Sequence, residues 1–162
     1  MSYPEPTYFG EAGEISATFR PATAPPELVY PNGTAVDYLA TGATTRGTFG
    51  LYVWRAAPAS GGPGPHFHRT INESFFVLAG TIKIYDGRRW IDAEPGDFVH
   101  IPEGGLHGFR NESDAPATML IHFAPGAPRE AYFEGNARFA REGMPSAGEL
   151  DEFRRLHDNY FV

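Results

Sequence analysis

Between Ala35 and Ala124 the chain breaks into short runs of aromatic and β-branched residues, each bounded by Gly, Pro, Asn or Asp. The runs are AVDYLATG, GTFGLYVWRAA, ESFFVLAG, TIKIYDG, RRWIDAE, DFVHIP, LHGFRN and ATMLIHFA. Val, Ile, Phe, Tyr and Trp suit the pleated surface of a strand, while Gly and Pro mark the turns between strands. About eight strands at this spacing predict an all-β barrel or sandwich. Within it, Tyr85-Asp86-Gly87-Arg88 predicts a hairpin closed by a two-residue Asp-Gly turn. Glu94-Pro95-Gly96-Asp97 predicts a second tight connection.

The flanks have a different texture. Met1 to Thr34 is rich in proline and shows little periodicity, which predicts an irregular arm lying over the domain or over a partner subunit. After Pro128, Tyr132, Gly135, Phe139 and Ala140 fall at helical spacing, and Ser146-Ala147-Gly148-Glu149 is a capping-box pattern ahead of Leu150, Phe153 and Leu156. One short helix is expected near 129–142 and another near 147–157, both packed over the outside of the β domain. The resulting division is an arm over 1–34, a barrel over 35–126 and a helical extension over 127–162.

Composition narrows the function. The 162 residues suffice for one domain with its own core. There is no cysteine, so neither a disulfide framework nor a thiolate ligand or nucleophile is available. With a formal net charge of −7 and no basic cluster larger than an arginine pair, the chain would repel nucleic acid. It has neither a basic segment leading into an apolar leader nor an apolar run of membrane-spanning length. A soluble cytoplasmic protein with no membrane partner is the expectation.

The chemistry concentrates in PHFHRTINESFFVLAG, Pro65 to Gly80, which uses two of the six histidines two positions apart. On a strand, alternate side chains share a face, so His66 and His68 can converge on one cation. Glu73 adds an anionic oxygen, and imidazole nitrogens suit Zn, Cu, Fe or Ni. A further ligand, His107, lies in GDFVHIPEGGLHGFRN, Gly96 to Asn111, where Gly104-Gly105 permits a tight reversal after a strand. Barrel closure would carry His107 across to the other three.

The two blocks together read H-x-H-x4-E-x6-G and G-x5-P-x-G-x2-H-x3-N. They resemble both conserved motifs of the cupin superfamily: His66, His68, Glu73 and Gly80 match the first, and Gly96, Pro102, Gly104, His107 and Asn111 the second. Where the family usually has a glycine six positions before the first histidine, this chain has Ser60, with Gly61 and Gly62 beside it. The resemblance covers about residues 35 to 125 and implies a jelly-roll barrel that commonly dimerises. It also implies one divalent transition metal (Fe, Mn, Ni, Co or Zn) held by His66, His68, Glu73 and His107.

A nitrogen- and oxygen-only ligand set differs from the closed, cysteine-rich sites typical of structural zinc. The preferred expectation is a metal-dependent oxygenase similar to the quercetinase branch, acting on a flavonol, phenolic or enolic aromatic small molecule, with Glu73 as the catalytic base. A polyketide cyclase or isomerase using the metal as a Lewis acid is the alternative, and so is a cupin that binds a small ligand without catalysis. Among Phe49, Tyr52, Trp54, Phe75, Phe76, Phe98, Phe109 and Phe123, alternation predicts that about half face the interior. His100 and His122 are candidate supporting or acid–base groups on strands.

Overall fold

The computed structural model describes residues 2–162. Its strands are β1 (Leu28–Val29), β2 (Ala35–Ala40), β3 (Gly50–Ala56), β4 (His66–Phe67), β5 (Asn72–Ala79), β6 (Ile82–Tyr85), β7 (Trp90–Ala93), β8 (Phe98–Ile101), β9 (Gly108–Arg110), β10 (Ala117–Ala124) and β11 (Tyr160–Phe161). Two helices, α1 (Arg129–Glu142) and α2 (Ala147–Leu156), separate the last two strands. The larger sheet runs β1-β2-β3-β10-β5-β8, a smaller one runs β7-β6-β9, and β11 pairs with β4. The architecture is the jelly-roll barrel with a helical C-terminal extension.

Alternation builds the core. In β10, Ala117, Met119, Ile121 and Phe123 are buried while the residues between them are half-buried, the period of two that a strand imposes. Register turns this into layers: Ile121 sits opposite Tyr52 on β3 and opposite Phe75 on β5. From the smaller sheet, Ile82 and Ile84 present fully buried side chains. Of the eight strand aromatics named above, Tyr52, Phe75, Phe109 and Phe123 are buried, whereas Phe49, Phe76 and Phe98 are exposed. Glu73 lies two residues before Phe75 on β5, so the same alternation turns its carboxylate into the barrel.

Each of the eight sequence runs coincides with one of the longer strands, β5 starting one residue ahead of its run at Asn72. Of the two expected turns, one forms as expected and one does not. The Glu94–Asp97 connection is tight, with the Asp97 amide donating to the Glu94 carbonyl at 2.9 Å and Gly96 at φ +99°. The expected two-residue turn at Asp86-Gly87 is instead a four-residue connection, because β6 and β7 pair Tyr85 with Trp90. The Asp86 carboxylate accepts the amides of both Arg88 and Arg89 at 2.9 Å. It thereby supplies the bonds that a tighter backbone turn would have made.

The flanks also depart from expectation. Leu28 and Val29, in the expected arm, form an edge strand against Val36 and Ala35. Upstream, Phe9, Ile15 and Phe19 are exposed; the Arg20 guanidinium pairs with Glu27, also in the arm, at 2.9 Å and reaches Asp37 on β2 at 3.8 Å. The expected capping box is present, with Ser146 and Glu149 bonding reciprocally. The expectation that both helices only cover the outside needs correcting. Helix α1 buries Arg129, Tyr132 and Phe133 at the mouth of the barrel. Past α2 the chain turns at Asp158, φ +56°, and returns as β11 to pair with β4.

Candidate metal centre

The two sequence blocks meet through backbone pairing. The His66 amide donates to the His107 carbonyl at 2.8 Å, and the His107 amide returns a bond to the His66 carbonyl at 2.9 Å. That bridge places two imidazoles side by side, with ring centroids 4.2 Å apart. The Gly104 amide donates to the His68 carbonyl at 2.7 Å, so the glycine turn of the second block holds the end of the first. Gly104 adopts φ +81°, a conformation that glycine takes without strain. At the end of the second block, Asn111 donates from Nδ2 to the carbonyls of Ala57 and Ala115 at 3.0 and 2.8 Å, clamping two loops.

All four sequence-derived candidates come together. His66, His68, Glu73 and His107 are buried and offer one ligand atom each, all within 4.8 Å of one another. Glu73 Oε2 lies 2.7 Å from His107 Nε2 and 3.1 Å from His68 Nε2. Every imidazole presents its other nitrogen to a backbone carbonyl: His66 Nδ1 to Gly64 at 2.9 Å, His107 Nδ1 to Gly105 at 2.9 Å and His68 Nδ1 to Asp158 at 2.6 Å. A carbonyl only accepts, so each Nδ1 carries a hydrogen, and a ring in its neutral form turns its Nε2 lone pair inward.

That arrangement fits a metal ion. Imidazole nitrogens facing a carboxylate oxygen at 2.7 and 3.1 Å repel it unless a proton or a metal cation stands between them. Burial favours the neutral form of Glu73, but hydrogen bonding to His107 and His68 outweighs it and holds the carboxyl well below its ordinary range. For His66, burial and then the neighbouring His107 push the imidazole down to about 3, so it stays neutral and ligand-ready. His107 goes the other way: burial opposes its charging, yet the Glu73 carboxylate raises it above 6.5.

From His66 and Glu73 the site opens into a cavity of about 320 Å³ walled by Tyr30, Trp54, Phe109, Phe123, Tyr132 and Phe133. Trp54 stands edge-on to Phe109 and Phe133, at 5.5 and 5.7 Å between centroids. The other two histidine candidates lie elsewhere. His122 stacks on Phe49 at 5.8 Å, and exposed His100 lies 3.0 Å, through Nδ1, from Ser74 Oγ. Register puts His122, Ser74 and His100 in one row across β10, β5 and β8. The row occupies the face opposite Ile121, Phe123 and Glu73, so neither histidine supports the centre.

Three contributors come from the tail and carry no sequence signal of their role. Phe161 on β11 stacks on the His66 ring at 5.0 Å. The Asp158 carboxylate accepts the amides of Arg69 and Thr70 and the Thr70 hydroxyl, at 2.7 to 3.1 Å. It fixes the loop between His68 and Glu73, while its own carbonyl holds His68. Arg129, on the first turn of α1, is buried and lines the cavity.

Comparison with known proteins agrees with this geometry. Residues 52–129 match the Cupin domain family, a span that contains both sequence blocks. Over those residues the barrel has the cupin fold. The cupin fold recurs in KdgF from Halomonas sp., at a TM-score of 0.59 and 16% identity over 70% of this chain and 97% of that one. The polyketide cyclase RemF from Streptomyces resistomycificus shares 27% identity at a TM-score of 0.50, over 57% of this chain and 60% of RemF. Among curated proteins, quercetin 2,3-dioxygenase of Bacillus subtilis is 33% identical over 48 residues, which are 30% of this chain and 14% of that enzyme. The likeness to those last two proteins spans less than two thirds of either. Among the described residues no helix is long and apolar enough to cross a membrane.

Proposed function

We propose that this cupin is a metal-dependent oxygenase of quercetinase-like type, acting on a phenolic or enolic aromatic small molecule. The observation that carries the proposal is the placement of Glu73. Its carboxylate is buried among three imidazoles and faces a cavity with aromatic walls. His66, His68, Glu73 and His107 would hold one divalent ion of the Fe, Mn, Ni, Co or Zn group. Bound there, the ion supplies Lewis acidity toward a substrate oxygen and, when redox-active, access to dioxygen chemistry.

The chain's own residues do the rest. Trp54, Phe109 and Phe133 offer ring faces and edges against which a flat substrate stacks. Its hydroxyl, directed at the centre, gives its proton to the Glu73 carboxylate, the one carboxylate lining the cavity. Phe161 stacks on His66 at the cavity wall and shields that ring from water. The likeness to quercetin 2,3-dioxygenase supports the oxygenase assignment, and the likeness to RemF supports a second one, a cyclase or isomerase that uses the same proton acceptor without oxygen.

Oxygen uptake by metal-loaded protein, measured over a panel of flavonols and simpler phenols, tests these assignments. Consumption coupled to substrate loss is the expected result. Conversion without consumption moves the assignment to cyclase or isomerase, and saturable binding without product moves it to a non-catalytic ligand-binding cupin. A homodimer in the cytoplasm belongs to the same proposal, and sedimentation of the purified protein tests the dimer.

A further inference from the structure

Arg129 is buried, with 4% of its surface exposed, yet it makes no ion pair. Nη1 donates to the His157 carbonyl at 2.7 Å and Nη2 to Asn159 Oδ1 at 3.3 Å, both neutral acceptors. Nε has no hydrogen-bond partner. Among the described residues no carboxylate comes within ion-pairing distance of this guanidinium. It is held instead by ring faces, 4.8 Å from the Phe123 centroid and 4.6 Å from that of Tyr132. Burying an uncompensated cation is costly unless something completes the pair.

The cavity wall is where completion would come from. Arg129 and Arg154 both line it, and Glu73 is the one carboxylate there, already engaged by His68 and His107. A chain of formal net charge −7 thus presents a positive pocket. A guanidinium fork matches the two oxygens of a carboxylate. The ring-lined volume of about 320 Å³ lies near the lower end of the range typical of ligand sites, which suits one or two fused rings.

We propose that Arg129 is an anion-binding residue of this cavity and that the substrate is an aromatic carboxylate, its acid group on the Arg129 guanidinium and its ring against Trp54, Phe109 and Phe133. The proposal rests on the cavity being the substrate site and names the class of molecule that enters it. It gives Arg129 a role in selection, separate from the proton transfer at Glu73.

Benzoate and benzamide, nearly equal in shape and different in charge, are the probes. Their binding is measured by quenching of tryptophan fluorescence, since Trp54 lines the cavity. The protein is used zinc-loaded and metal-free, as wild type and as Arg129→Gln. The wild type is expected to prefer benzoate by about tenfold in both metal states, the scale of a hydrogen bond to a charged group. In Arg129→Gln the preference falls to about twofold or less. A preference that survives Arg129→Gln, or that disappears from the wild type when zinc is removed, puts the carboxylate elsewhere and overturns the proposal. Should Arg129→Gln not fold, the wild-type comparison with and without zinc decides by itself. A lack of oxygenase turnover would remove the reaction proposed above while leaving this binding result intact.

Discussion

Replacing Asp158 should loosen the metal centre without touching any ligand. Its carboxylate accepts the Arg69 amide at 3.0 Å, the Thr70 amide at 2.9 Å and the Thr70 hydroxyl at 2.7 Å. The side chain is only partly buried, so water replaces much of what is lost. Each bond is then worth roughly 0.5–1 kcal/mol, or about 2 kcal/mol together. Residue 158 also sits at φ +56°, where alanine costs about 1–2 kcal/mol more. Asp158→Ala is therefore expected to destabilise by roughly 3–4 kcal/mol, a fall in Tm on the order of 10 °C for a chain of this size. Asp158→Asn keeps an acceptor and tolerates the conformation, so about 1 kcal/mol is expected. Because the same residue's carbonyl holds His68 Nδ1 at 2.6 Å, zinc affinity should drop about 10-fold or more in the alanine variant, as for other residues that orient a metal-binding histidine. Thermal unfolding of metal-free protein and zinc titration against a competing chelator measure the two effects. Wild-type stability and zinc affinity in Asp158→Ala would refute the idea that the tail organises the site.

His66→Ala or His107→Ala should each remove most of the metal found by elemental analysis, because each deletes a buried imidazole of the proposed metal site. Full occupancy in both would mean the site is misassigned. Glu73→Gln is expected to retain more metal than either histidine variant and to lose more turnover, since the proposed proton acceptor goes with the charge. Zinc affinity should fall on acidification. His66, pushed down to about 3, stays neutral, whereas His107 lies above 6.5 and takes up a proton first. One proton displaced makes the loss about tenfold per pH unit below the His107 value, and a flat chelator titration across that range would contradict it. Gly80→Ala meets both a φ of +69° and a backbone oxygen, Pro116 O, 2.6 Å from the added carbon. Destabilisation of roughly 3 kcal/mol is expected in urea unfolding, and no change would show that the loop gives way.

Much of the barrel and its centre is legible in the chain because the rules involved are local. Alternation in Ala117–Ala124, the Glu94–Asp97 turn and the Ser146–Glu149 capping box each depend on residues within a few positions of one another, and each appears as expected. The ligand group was legible for another reason. Spacing alone puts His66 and His68 on one face, and the second block supplies the turn that delivers His107. Alternation has a period but no phase. Nothing local says whether His122 or Phe123 points inward, and only pairing with β5 decides that His100 and His122 lie outside. The four-residue turn at Asp86 likewise follows from register rather than from the Asp-Gly pair.

By itself, then, the sequence determined an all-β barrel, its two terminal helices and the identity of the four residues that gather in the core. Tertiary structure alone decided what surrounds them. Asp158 reaches His68 across 90 positions, and Arg129 reaches Asn159 across 30. Such contacts leave no periodic trace in composition or spacing. They exist because β11 finds an open edge at β4, and because α1 has apolar side chains to bury at the barrel mouth. Burial of those surfaces is non-directional, so the pattern of apolar residues says that the tail must dock and leaves to packing which polar groups it brings along.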